Sequence, residues 1–147
     1  MNRIAGAGDA PKSHKKLYEK IHLFDARHGS NRIRRLRQGG RNRTTGTLIG
    51  TWEMTKSWSQ SDGWDTEFGA QWGYILTVRF YENGSAVATQ IDSSGTQTQR
   101  TTYQMTAGTL RITLPNGQTN IAVIESLTAT ELILAYSDTK EYYKRIG

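Results

Sequence analysis

The sequence predicts an all-β protein: an antiparallel up-and-down β-barrel of about eight strands, preceded by a basic N-terminal arm. Three observations predict it. From Thr47 onward, apolar residues recur on alternate positions, the spacing of half-buried strands. After Gln71 every link between these segments is a short turn rich in Gly, Asn, Ser or Thr. Finally, Gly50-Thr51-Trp52 opens the run and Tyr142-Tyr143-Lys144-Arg145 closes it, with almost no helical spacing between them.

The chain divides into an arm, residues 1–45, and a barrel, residues 46–147. The arm holds twelve of the nineteen Lys and Arg and three of the thirteen Asp and Glu, a net charge of +9. The remainder carries seven basic and ten acidic residues, a net of −3, so the pI near 9.7 belongs to the arm. Ser13 is placed to cap a short helix from His14 to about Ala26, with Leu17, Ile21 and Phe24 on one face and Gly29 beyond its end. A basic amphipathic helix of this kind docks under the barrel, lies on an anionic membrane, or fluctuates in water. The following stretch carries Arg32, Arg34, Arg35, Arg37, Arg41 and Arg43 around Gly39-Gly40, with too little apolar surface to order itself. Guanidinium forks at this density suit phosphate oxygens, and nucleic acid or an anionic surface is one candidate partner. No aromatic lies among these arginines to stack on bases, and a solvated linker is the other reading.

Strand one is expected from about Leu48 to Ser59, with Trp52, Met54 and Trp58 on one face and Thr51, Glu53, Thr55 and Ser57 on the other. Lys56 interrupts the apolar face. In a barrel interior such a lysine sits near the mouth or is paired, which makes it a candidate ligand contact. The loop Gln60 to Gln71 contains turn formers together with Trp64 and Phe68. Two large aromatics in so long a loop call for an apolar cavity to fold over.

Strand two, Trp72 to Tyr81, alternates Tyr74, Leu76, Val78 and Phe80 with Ile75, Thr77, Arg79 and Tyr81. Asn83-Gly84 is a strong hairpin signal, since both residues tolerate positive φ. Strands three to eight follow over Ser85 to Asp92, Gln97 to Met105, Thr109 to Leu114, Thr119 to Leu127, Leu132 to Ser137 and Glu141 to Ile146. Thr89, Gln90, Gln97, Gln99 and Gln104 must face water or line a polar lumen. A two-sheet sandwich also uses short strands, but it needs long crossovers between sheets. Sequential hairpins favour a barrel, whose interior at eight strands holds side chains or one small ligand.

A Gly-x-Trp entering the first strand and an Arg leaving the last resemble the calycin superfamily, most closely the small lipocalin-like domains of bacteria. The resemblance covers about residues 46 to 147. It implies that Trp52 plugs the closed end and that Arg145 lies across the indole, locking the last strand beside the first. It also implies carriage of a small apolar molecule, often in the cell envelope or periplasm. The sequence has neither the apolar core of a secretory signal nor a lipobox cysteine, so it is a mature form, a sequence begun at the wrong start, or a protein that stays inside the cell.

Chemistry is sparse. There is no cysteine, and His14, His22 and His28 all lie in the arm, so the barrel cannot assemble a Ser-His or Cys-His relay. The histidines lack metal-ligand spacing, and no cofactor motif occurs. Asp62, Asp65 and Glu67 cluster in the long loop and read as solvated turn residues, although a carboxylate pair across a cleft is what glycosidases use. No apolar run approaches the roughly 18 residues of a membrane span. The expectation is a non-enzymatic binding barrel for a small apolar or amphipathic ligand. Trp58, Trp64, Phe68, Trp72 and Tyr74 are its candidate contacts at the open end, with Lys56 or Arg79 facing an anionic head group. The same aromatics could equally pack a filled barrel.

Overall fold

The computed structural model describes residues 43–147; the expected helix from His14 and the arginines Arg32, Arg34, Arg35, Arg37 and Arg41 lie outside the described residues. Ten strands form one sheet: β1 (Arg43–Thr44), β2 (Gly50–Ser59), β3 (Gly63–Asp65), β4 (Ile75–Phe80), β5 (Ser85–Asp92), β6 (Gly95–Thr106), β7 (Thr109–Thr113), β8 (Thr119–Leu127), β9 (Glu131–Ala135) and β10 (Thr139–Arg145). From β4 onward each strand pairs antiparallel with its successor, and β2 pairs with both β4 and β10. Eight strands therefore close into the expected up-and-down barrel, although Gly95 to Thr101 of β6 pair with β5 alone. Among the described residues no helix is long and apolar enough to cross a membrane.

The other two strands are short and were not expected. β1 pairs parallel with the end of β8, Arg43 opposite Ser126. β3 folds back on β2, Trp64 opposite Trp58, inside the stretch expected to be plain loop. β3 lies on the edge of β2 that β4 leaves open, because β4 pairs only with Gly50 to Glu53. The expected second strand also starts later: Trp72 belongs to a single 3₁₀ turn, Ala70–Trp72, before β4 begins.

Turn chemistry sets the hairpins. At Asn83-Gly84 only the glycine takes positive φ, 89°, while the Asn83 carboxamide oxygen accepts from the Ser85 amide at 3.0 Å. The expected pair of positive φ angles lies instead at Ala107-Gly108, φ 47° and 83°, between the paired residues Thr106 and Thr109. That is the mirror-image turn whose twist matches antiparallel strands.

Inside, Trp52, Met54, Leu76, Val78, Phe80, Leu110, Ile112, Ile124, Leu127, Leu132, Leu134 and Tyr143 are buried on the inward positions of their strands, Leu127 following Ile124 by three because Glu125 is an extra residue in β8. The Trp52 Nε1–H donates to the Leu48 carbonyl at 3.0 Å. Arg145 lies over its ring, 4.4 Å from the centroid, and donates to the carbonyls of Thr47, Ile49, Ala129 and Gly147. The last strand is thereby tied to the first at one end of the barrel.

A second irregularity, in β2, decides which of its residues see the interior. On β10, Tyr142 pairs with Lys56 and the adjacent Tyr143 pairs with Met54, so Thr55 is an extra residue and β2 carries a β-bulge there. An inserted residue swaps the faces of everything beyond it. Ser57 consequently turns inward and is buried, whereas Lys56 and Trp58 turn to the outer wall. This corrects the expected pattern, in which Lys56 and Trp58 shared the face of Trp52.

Candidate ligand site

The interior is apolar around Trp52 and polar toward the opposite end. Glu141 on β10 is fully buried, 0% exposed. The Tyr143 hydroxyl donates to its Oε1 at 2.8 Å. Tyr136, just past β9, is buried against the same carboxyl group. On the other side Tyr74 donates to the Gln90 side-chain oxygen at 3.4 Å, and the Gln90 amide donates to Asp92 at 3.1 Å. Tyr74 also lies close enough to Tyr143 to perturb its phenol. A polar track thus spans this end of the barrel, hydrogen-bonded from Asp92, at the end of β5, through Gln90 to Tyr74, and from Tyr143 to Glu141.

The track reaches solvent beside β6. Directly paired residues project to the same face of a sheet. Gln90 is buried while its partner Gln97 is exposed, and Gln99, opposite the buried Ala88, is only partly covered. The inner face of the β5–β6 hairpin is therefore wet where the inner faces of β8 and β9 are dry. Of the glutamines and threonines expected either to face water or to line a lumen, Gln90 turns inward, and Gln97 and Gln104 are exposed.

Burial pushes the Tyr136 and Tyr143 phenols well above the usual tyrosine range, and the Glu141 charge raises both further. A raised folded-state pKa means that the unfolded chain loses these protons first as pH rises. Their contribution to stability is then complete below the ordinary tyrosine pKa of about 10 and falls away above it. We expect alkaline unfolding in that window, with part of the phenolate ultraviolet absorbance appearing only as the fold is lost. Tyr136→Phe should reduce that delayed fraction; unchanged absorbance would show that Tyr136 is not sealed from solvent.

The seven candidate contacts divide by position. Phe68 and Tyr74 are buried and pack together, ring centroids 5.6 Å apart, over the part of the barrel where β4 has not yet begun. Trp72 is 45% exposed in the turn between Phe68 and Tyr74. Trp64, 54% exposed, stands on the outer wall beside Tyr142, with the Lys56 ammonium 4.7 Å and 4.8 Å from the two ring centroids. Trp58 is half-buried on that same wall, opposite Trp64. Arg79 is exposed and lies over Tyr81, 4.8 Å from its centroid. Lys56 and Arg79 are thus outside the barrel, where they hold aromatic neighbours by cation–π contact.

Sequence reasoning missed Glu141, Tyr136 and Tyr143. The signal was present in the last strand. If Arg145 reaches the plug, then Tyr143 and Glu141, two and four residues earlier, share its inward face.

No protein-family model matches the chain, and no curated protein matches it. Solved structures do. A lipocalin-like protein from Bacteroides uniformis superposes with a TM-score of 0.57 at 17% identity, covering 67% of this chain and 98% of that one. An uncharacterized protein from Bacteroides eggerthii gives a TM-score of 0.56 at 15% identity, covering 68% of this chain and 100% of that one. At this level of identity the likeness is one of fold.

Proposed function

We propose, from a lipocalin-like barrel with a dry floor and a polar track to solvent, that this protein is a non-enzymatic binder of one small apolar or amphipathic molecule. The observation that carries the proposal is the asymmetry of the interior. An apolar tail placed toward the Trp52 end leaves water at roughly 25 cal/mol per Å² of apolar area. A polar group at the other end meets hydroxyls and side-chain amides already held by one another.

Phe68 is the gate in this proposal. It sits in the segment between β3 and β4, with Gly69 and Gly73 both at positive φ, 117° and 71°. Displacing one ring, with glycines to absorb the backbone change, opens the barrel without breaking a long strand pairing. Trp72 at the rim is a further contact for an entering guest. Lys56, Trp58, Trp64 and Arg79 belong to the outer wall and have no part in it.

Native mass spectrometry of the protein as purified from cells tests the proposal, the expected result being a co-purifying small molecule. A neutral fatty probe should also bind, and its affinity should barely respond to salt. Retained oligonucleotide, lost steeply as salt rises, would assign the function to the arginine-rich arm. Absence of any fatty-probe binding would refute the carrier role.

A further inference from the structure

The interior also specifies the kind of head group, an inference that rests on the carrier role. Among the described residues, Glu141 is the one buried side chain of the Asp, Glu, Lys and Arg type. It is flanked by the phenol groups of Tyr136 and Tyr143. The two cations expected to meet an anionic head group, Lys56 and Arg79, face outward, so the sign of the interior is the reverse of that expectation. A phenol hydroxyl that donates still has lone pairs to accept with, and a carboxylate accepts on both oxygens through about four lone-pair directions. Both features favour a cation that donates hydrogen bonds.

We infer that the barrel selects amphipathic amines, an alkyl chain toward Trp52 and an ammonium group at Glu141 among Tyr74, Tyr136 and Tyr143. A fatty acid is disfavoured at the same place. Its carboxylate would lie against Glu141 in a low-dielectric setting, where like charges repel strongly and water cannot screen them. Ser57, also buried and paired across the sheet with Glu141, is the neutral group beside it for the remaining ammonium hydrogens.

The test is calorimetric titration of the full chain with three ligands of equal chain length, dodecylamine, dodecanol and dodecanoate, each below its micelle concentration. Dodecylamine should bind at least about tenfold more tightly than dodecanoate, the size of one charged hydrogen bond. Glu141→Gln, of nearly the same shape, should bring the three affinities together while dodecanol binding persists. If dodecanoate matches or exceeds the amine, or if Glu141→Gln keeps the preference, the amine inference is overturned and the carrier role stands. If none of the three binds, both fall. Should Glu141→Gln not fold, the amine-to-carboxylate ratio of the unaltered protein decides alone.

Discussion

Trp52→Ala is expected to destabilise the protein by about 3–5 kcal/mol, the cost of emptying a large aromatic site in a close-packed core. The indole is fully buried, with 0% of its surface exposed. Three losses coincide: the apolar area, the Nε1–H bond to Leu48, and the surface on which Arg145 rests. The guanidinium keeps its carbonyl partners but loses the ring beneath it. Denaturant titration should give a lower midpoint with an unchanged slope. Trp52→Phe should recover part of the loss, since it refills area without the donor. A cost below about 0.5 kcal/mol, the usual range of a surface change, would mean that the indole does not close this end of the barrel.

Gly50→Ala comes next, and its cost has two sources. Gly50 has φ of 137°, a backbone region that side chains rarely occupy, and holding an alanine there costs about 1–3 kcal/mol. A Cβ at this position would also collide with Arg145 Nη1 and approach the Gly147 carbonyl to 2.8 Å. The guanidinium would have to leave its stack. Because the collision passes through Arg145 while the backbone strain does not, Gly50→Ala and Arg145→Met should be non-additive, the double variant costing less than the sum of the singles but keeping the strain. Additive costs would separate the glycine from the latch. The same contacts account for the Gly-x-Trp spacing. The glycine leaves room for the guanidinium that covers the indole two residues later.

Much of the barrel was legible because its causes are local. β5 and β8 match their expected spans, Ser85 to Asp92 and Thr119 to Leu127, since alternation and a flanking turn residue define both ends. β3 was not legible: its three residues have no periodicity of their own and form a strand only because β2 offers an unpaired edge. Neither was β1, which depends on β8 extending beyond β7. The site was harder still. Phe68 and Tyr74 were found as aromatics near a long loop, and their burial follows. Lys56 and Trp58 were assigned to the interior by counting twos through Thr55, where the strand inserts a residue. The misfit was itself a clue, since a lysine on an apolar face between Met54 and Trp58 is what a missed bulge produces. Glu141 was passed over for a similar reason. A glutamate at the start of a strand looks like a solvated turn end until Arg145 sets the face.

By itself, the sequence determined the number and order of the barrel strands, because backbone alternation and turn geometry are properties of neighbouring residues. Only the tertiary structure decided which side chains the barrel encloses. A face is assigned by pairing across strands, and the pairing that turns Ser57 inward and Lys56 outward joins β2 to β10, some 85 residues further along the chain.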